Sequence, residues 1–514
     1  MTVPAMPPAT RWIYVLGKQF LYTSQNPPSP TPGNITEDRF MIRGVAVDAA
    51  SVTALKYDDV LADHHFSTMK AIFDKAIDLN INCIRVYALN PNYSHKQAMD
   101  HLKAHGIYVM VGLASAENSV HQMSGAYAQA TFVHAARLVD EFQAYDNTFC
   151  FSVGNEVNFP GQQAANLKKA HPDKTDAEIA QLTVDLECTV AQAMKSFVRD
   201  VKHHIKNQGY RSIPVGMAMQ DGPQSSWTNS NPQAYQRGLI GTDTLQQYYA
   251  AGTNDADRAD FIGINSYRYE SGQGPGGLDA YDGLAEEASR LPVPVFLSES
   301  GDIVGPTRDW KIAAHVFKTA ALRDQLSGQV AFQLMDEGAG YGLFTVSESG
   351  GSVTLTAASQ TSVTDLTNVF QECFTTPPYF AAGQPNHPTS APTSFGSNPE
   401  VTLPKGWPNL LTLKTFSPPT TDITVENYNT TSKIQVVQQV NDSYLVLGVL
   451  QPATSATSPT SRTIRLYSQT AINIQFYDAK TKKWDQVCGV PAKSVKAGKT
   501  VKTDVKYGGA CNLA

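Results

Sequence analysis

The chain has 514 residues, a length that suggests two to four domains unless one of them is a barrel able to use ~250 residues or more. With 42% hydrophobic residues, 17% charged residues and a net charge of -6, it reads as an ordinary globular protein. That balance leaves no broad basic surface for nucleic acid or an anionic membrane, and a neutral polymer is a better-matched partner.

No run approaches the ~18 apolar residues that cross a bilayer, and the Pro-rich stretch from Met1 to Thr10 lacks the charged, apolar and small-residue order of a signal peptide. Neither a membrane span, an export leader nor a C-terminal lipid anchor is therefore expected. The six cysteines, Cys83, Cys150, Cys188, Cys373, Cys488 and Cys511, are never spaced as CxxC, which argues against a structural zinc site. Cys83 and Cys150 fall inside predicted strands as free buried thiols, whereas Cys488 and Cys511 are a candidate pair near the C-terminus.

After an N-terminal extension over residues 1–34, eight short apolar or β-branched segments follow, separated by helix and loop. They are Phe40 to Val47, Cys83 to Tyr87, Tyr108 to Leu113, Thr148 to Gly154, Ile213 to Met217, Asp260 to Asn265, Pro294 to Glu299 and Gln329 to Met335. Eight is the strand number of a (β/α)8 TIM barrel, predicted here over residues 35–375. Between the first two segments, Phe66, Met69, Ile72, Phe73, Ala76 and Ile77 recur at helical spacing. Ser94 is placed to cap a second helix through Met99 and Leu102 that stops at Gly106. A doubly wound sheet would also alternate strand and helix, but it would favour a Gly-rich phosphate turn after the first strand, and Val47-Asp-Ala-Ala-Ser51 is not one.

Asn158 to Pro172 has little periodicity and reads as a loop insertion, and Asp176 begins the acidic first turn of a long helix ending near Ile205. Pro, Ser, Thr and Gly dominate residues 376–409, the composition of a linker. Residues 410–514 carry β-rich runs at Ile434 to Val437, Tyr444 to Leu447 and Ile472 to Phe476, so a small all-β, sandwich-like module is expected there.

Two acidic residues close predicted barrel strands: Glu156 in Phe151-Ser-Val-Gly-Asn-Glu-Val-Asn158 and Glu299 in Pro294-Val-Phe-Leu-Ser-Glu-Ser-Gly301. Strand ends on one barrel face deliver both carboxylates to a common mouth. Cleaving a glycosidic bond needs such a pair, one carboxyl to protonate the leaving oxygen and one to attack or to activate water. Asn155, beside the first acid, is placed to hold a sugar hydroxyl. A single Glu at a strand end is usually a solvated residue; two at matched positions, one preceded by Asn, are not so easily dismissed.

The ordered set Ile42-Arg-Gly-Val-Ala46, Asn82-Cys-Ile-Arg-Val-Tyr-Ala-Leu-Asn-Pro91 with Ser94-His95, Gly106-Ile-Tyr-Val109, Gly154-Asn-Glu-Val157, Arg211-Ser-Ile-Pro-Val-Gly216 with Asp221, Asp260-Phe-Ile-Gly-Ile-Asn-Ser-Tyr267, Val295-Phe-Leu-Ser-Glu-Ser-Gly301, and Glu337 with Tyr341-Gly-Leu343 resembles glycoside hydrolase family 72. These are the β-1,3-glucanosyltransferases of fungal cell walls. The resemblance implies a retaining double displacement on β-1,3-glucan, with Glu299 as nucleophile and Glu156 as acid and then base, no cofactor and no metal. It places Tyr267 beside the nucleophile and Tyr87 in the glucan groove, each with a packing role as the alternative. Asp48, Asn158, Asp221 and Tyr341 join Asn155 as substrate-binding candidates, Trp227 and Trp310 are further groove candidates, and Arg85 is expected to pair with buried carboxylates below the site. The family is normally exported, and sequons at Asn34, Asn92, Asn429 and Asn441 permit glycosylation. A monomer is expected.

The chain also departs from the family pattern. Val47-Asp48 stands where Tyr-Gln is usual, Gly112-Leu113 where Asp-Leu is usual, and Phe332 replaces a tyrosine. Ala98, Glu270 and Asp302 occupy places of family cysteines, so the usual disulfides cannot form. His64-His65 and His203-His204 lie in helical stretches and are expected to face solvent. Two other readings stay open: a retaining β-glucan hydrolase of the same fold, and a carbohydrate-binding or cell-surface protein with a retired site.

Overall fold

The computed structural model describes residues 8–23, 39–48, 52, 59–221, 242–250, 258–267, 280–301, 308–349, 352–375, 421–440, 443–455, 457–466, 472–478, 483–490, 500–503 and 512–513. The expected linker at 376–409, Trp227, Glu270, Asp302, Cys511 and the sequons at Asn34 and Asn441 lie outside the described residues.

The chain opens with a hairpin, β1 (Trp12–Leu16) and β2 (Gln19–Thr23), turned at Gly17, whose φ of 57° suits a residue without a Cβ. Eight parallel strands then close into a barrel: β3 (Ile42–Ala46), β4 (Cys83–Val86), β5 (Tyr108–Gly112), β6 (Thr148–Asn155), β7 (Val215–Gln220), β8 (Ile262–Ser266), β9 (Val295–Ser300) and β10 (Leu326–Ala331), with β10 beside β3. Every predicted strand is present. The eighth lies earlier than its sequence segment: past Ala331 the regular pairing ends, with Phe332 N–H donating to the Ser300 carbonyl, Gln333 N–H to that of Tyr341 and Leu334 N–H to that of Ala46.

The strands are apolar on both faces because the barrel has an interior as well as a helical jacket. Inside, at the N-terminal ends of the strands, Phe20 of the hairpin meets Phe149, Phe261 and Phe296 with ring centroids 4.8, 6.1 and 6.1 Å away. Phe40 meets Phe149 at 5.0 Å. The segment expected to be a mere extension therefore plugs the barrel floor, leaving the opposite, C-terminal ends open for a site.

In the jacket, α1 (Phe66–Ile77) buries Met69, Ile72, Phe73 and Ala76, matching its sequence spacing. The second helix, α2 (Lys96–Ala104), has His95 in its cap position, one residue after the expected Ser94: Ser94 Oγ donates to Asp63 Oδ2, and Asp63 Oδ1 accepts the Gln97 N–H at 2.7 Å. A carboxylate from another segment thus takes the Gln97 donor, while Ser94 Oγ accepts only a long bond from the Lys96 N–H at 3.5 Å. Next comes α3 (Gln129–Phe142). The expected loop insertion contains a helix, α4 (Pro160–Ala170), with Pro at its start and only Pro160 and Gln163 buried, so its polar sequence carries little periodicity. The long helix α5 (Asp176–Gln208) begins with a capping box between Thr175 and Glu178 and ends at Gly209 with φ 71°. Among the described residues, no helix is long and apolar enough to cross a membrane.

After β10, a polar hairpin, β11 (Phe344–Ser349) and β12 (Ser352–Ala357), precedes the helix Gln360–Thr375. The C-terminal region has two four-stranded sheets. One holds β13 (Thr421–Asn427), β16 (Thr460–Leu466), β19 (Thr500–Thr503) and β20 (Asn512–Leu513); the other holds β14 (Ile434–Val440), β15 (Ser443–Leu450), β17 (Ile472–Asp478) and β18 (Lys483–Val490). Ile423, Val425, Ile464 and Val501 from the first pack with Ile434, Val436, Ile474 and Phe476 from the second. Phe132, Val133 and Ala136 of α3 belong to that same apolar cluster.

Candidate active site

The C-terminal ends of β4, β6, β8 and β9 bring one polar network together. Glu299, on β9, is 6% exposed and accepts three hydrogen bonds. Arg85 Nη1 donates to its Oε1 at 3.0 Å, Tyr87 Oη to Oε1 at 2.9 Å and Tyr267 Oη to Oε2 at 3.0 Å. Burial pushes both phenols well above their usual range, with further upward pressure from the Glu299 charge at Tyr267, so both remain protonated donors. The guanidinium of Arg85 also lies over the Tyr87 ring, 4.4 Å from its centroid.

Glu156 follows the last residue of β6 and is half-buried, with φ at +49°. A left-handed glutamate is strained, and the Glu156 N–H is held against the Ala218 carbonyl of β7 at 3.0 Å. Burial first, and then the charge of Glu299, raise the Glu156 carboxyl above its ordinary value, against a hydrogen bond from Asn265 that pulls it down. Such an environment favours a carboxyl that still carries its proton when free glutamates have lost theirs.

Between the two carboxylates lies a bridge. Arg85 Nη1 donates to Asn265 Oδ1 at 3.1 Å and its Nη2 to Asn155 Oδ1 at 2.6 Å; Asn265 Nδ2 donates to Asn155 Oδ1 at 2.9 Å and to Glu156 Oε1 at 3.0 Å. Ser298 Oγ adds a bond to Asn265 Oδ1 at 2.7 Å. Arg85, expected below the site, is thus paired with Glu299 itself. Asn265 and Ser298 were not singled out from the sequence; their only signal was membership of strand motifs. Asn155 is exposed at the mouth, and with its carbonyl oxygen engaged twice its amide N–H2 is left facing outward.

The remaining candidates occupy other places. Asn158 is turned inward, its Nδ2 donating to the Glu187 carbonyl at 3.3 Å and lying 3.4 Å from Tyr249 Oη. Asp221 is buried and accepts from Ser266 Oγ, while its N–H donates to the Asn265 carbonyl at 3.0 Å. Tyr341 stacks edge-on with Tyr267 at 5.6 Å and Phe332 at 5.4 Å, a half-buried aromatic rim. Asp48, at the end of β3, is half-buried and acts electrostatically on Tyr87 and on Glu337, whose carboxyl is raised by burial and then by Asp48. Trp310 is buried, beside Arg308, and so packs in the core.

A cavity of about 520 Å³ opens on the Glu156 side, lined in part by Tyr87, Gly112, Ser115, His121, Gln122 and Asn155. Gly112 is required there: a Cβ at this position would lie 1.8 Å from the Tyr87 carbonyl oxygen.

One histidine expectation changes. His204 is buried, with Nε2 2.7 Å from Asp140 Oδ1, because α5 packs against α3 on that face. His95, at the N-terminus of α2, is also buried, with Nε2 2.8 Å from Asp59 Oδ2 and Nδ1 2.9 Å from Glu141 Oε2. Burial lowers its imidazole, but hydrogen bonds and charge from Asp59 and Glu141 outweigh this and raise it to about 9. Cys83 and Cys150 are free and buried, as are Cys188 and Cys373. Among the described residues, no group of His, Cys, Asp and Glu is arranged to hold a metal ion.

Comparison with known proteins places this geometry in context. Residues 3–173 and 178–366 match the glycoside hydrolase family 72 profile, described as "Glucanosyltransferase". The 1,3-beta-glucanosyltransferase gas1 of Schizosaccharomyces pombe is 29% identical over 319 residues, 61% of this chain and 50% of that protein. Protein EPD2 of Candida maltosa is 27% identical over 348 residues, 66% of this chain and 53% of that protein. The chain spans about half the length of the curated relatives it matches. Among solved structures, Saccharomyces cerevisiae Gas2p in complex with laminaripentaose has a TM-score of 0.54 at 22% identity, covering 71% of this chain and 70% of that one, which supports the same fold.

Proposed function

The chain belongs to glycoside hydrolase family 72, the glucanosyltransferases, and from that premise we propose that it cleaves and re-joins β-1,3-glucan chains by a retaining double displacement. The observation that carries the reading is the contrast between one carboxylate gripped by three donors and one raised carboxyl, joined through Arg85 and Asn265. Glu299 attacks the anomeric carbon, and the donors around it hold its oxygens in line for attack. Glu156 gives its proton to the leaving glucan oxygen, then takes one from the incoming acceptor hydroxyl. Asn155 presents its amide to the sugar bound between them. Asp48, Asn158, Asp221 and Tyr341 act around this centre: Tyr341 as an aromatic rim for a sugar ring, Asp48 at the groove wall, and Asn158 and Asp221 as supports from behind.

The family name of the relatives and the laminaripentaose bound by Gas2p support a β-1,3-glucan donor and a carbohydrate acceptor. The altered Asp48 and Gly112 keep a hydrolase as the second reading, since transfer depends on an acceptor outcompeting water in the cavity beside Glu156. Incubation with reduced laminari-oligosaccharides separates them. Products longer than the substrate establish transfer; shorter products alone establish hydrolysis; no products, with binding retained, leave a carbohydrate-binding protein.

A further inference from the structure

We propose that Asn265 is a positioning residue that decides which oxygen of Glu156 carries the transferable proton, an inference that rests on the acid/base reading of Glu156. The side-chain amide of Asn265 has one acceptor end and one donor end, and its surroundings allow a single orientation. Its Oδ1 accepts from Arg85 Nη1 at 3.1 Å and from Ser298 Oγ at 2.7 Å. A guanidinium cannot accept a hydrogen bond, so a flipped amide would set N–H2 against N–H2 in a buried, 2%-exposed position. The donor end is thereby committed to Asn155 Oδ1 at 2.9 Å and Glu156 Oε1 at 3.0 Å.

The consequence for the acid follows from hydrogen-bond polarity. An oxygen that accepts a fixed N–H is the carbonyl oxygen of the protonated acid, so the proton resides on Oε2. When Oε2 passes that proton to the leaving glucan oxygen, the new charge spreads onto Oε1, where the Asn265 N–H already waits; when the acceptor hydroxyl is deprotonated, Oε2 takes the proton back. The same bond offsets part of the upward pull that burial and Glu299 exert on Glu156. Because Arg85 donates to both Glu299 and Asn265, the orientation is enforced by the nucleophile's own partner.

The test replaces Asn265 by Ala and, separately, Ser298 by Ala, in the full chain. Titration of the carbon-13 signal of the Glu156 carboxyl reads the bond directly and requires no turnover. Asn265→Ala is expected to move that titration to higher pH, and Ser298→Ala to move it less in the same direction. In kinetics, Asn265→Ala should lower kcat on β-1,3-glucan by more than about tenfold with KM little changed, and leave the first step on an activated aryl donor, which needs no protonation, nearly intact. An unmoved Glu156 titration in a folded Asn265→Ala variant, or equal losses on both donors, overturns the proposal. If Asn265→Ala does not fold, an unmoved titration in Ser298→Ala overturns it instead. A wild-type protein that turns over neither donor refutes the enzymatic reading, while the titration still decides the hydrogen bond.

Discussion

Glu299 and Glu156 share one barrel mouth yet live in unlike surroundings. Glu299 sits within strand β9, buried, with three side-chain donors around its two oxygens. Glu156 sits past its strand in a left-handed conformation, half-buried, with Asn265 donating to one oxygen. Dense donors suit a group that must stay charged and aligned; burial with sparse donors suits one that must hold and release a proton. The difference between the proposed roles is therefore one of neighbours, since the two residue types are identical.

The comparison can be broken most decisively at Glu299. Glu299→Gln is expected to lower kcat by three orders of magnitude or more, on the order of other nucleophile losses, with the fold intact. A 2-fluoro glycosyl donor should label Glu299 in the parent chain; label at Glu156 would reverse the two roles. Glu156→Ala should lose roughly 10²- to 10⁴-fold on glucan. Azide should restore part of the rate with an activated donor and give the β-azide, whereas an α-azide would mean inversion and sink the double displacement.

His95 sharpens the comparison by supplying a background that must be subtracted from any pH profile. Its imidazole is raised to about 9 in the folded protein. The stability it contributes is thus fully present below its unfolded value of about 6.5 and is lost as pH rises through 9, a total of roughly 3 kcal/mol. Denaturant titrations of His95→Gln should lack that alkaline decline; an unchanged decline would remove His95 from the account. The smallest effect is expected from Tyr267→Phe, which removes one donor from Glu299 at a cost of about 1.5–3 kcal/mol in kcat/KM and leaves the alkaline limb set by Glu156 in place. A shifted limb would mean that the two carboxylates are less separable than their contacts imply.

The barrel was legible because each strand is a short apolar run between helical patterns, and Glu156 and Glu299 were legible because those runs end on them. What escaped depends on partners distant in sequence. Local position makes Ser94 the cap, but Asp63, 34 residues before Gln97, takes that helix donor. Sequence alone leaves His204 facing solvent, because periodicity along α5 does not reveal that Asp140 faces it. Asn265 lies in an apolar strand where one amide looks like an exception to burial; its importance exists only once Arg85, 180 residues away, is placed against it. The N-terminal hairpin escaped for a similar reason, since Phe20 gains meaning only from Phe149 and Phe296.

Helix α3 carries two apolar faces. Ala135, Leu138, Val139 and Phe142 enter the barrel's core, while Phe132, Val133 and Ala136 enter that of the β-sandwich. A helix buried on both sides is a party wall, and each room leans on the other's side of it. Unfolding should accordingly be one cooperative event in calorimetry, whatever the length of chain that joins the two parts. Removing residues 410–514 would wet Phe132 and Val133, each worth about 1.5–3 kcal/mol when buried, and should yield a barrel with a lowered Tm and a tendency to self-associate. Two well-separated transitions in the full chain, or a truncated barrel as stable as its parent, would show that the wall stands alone.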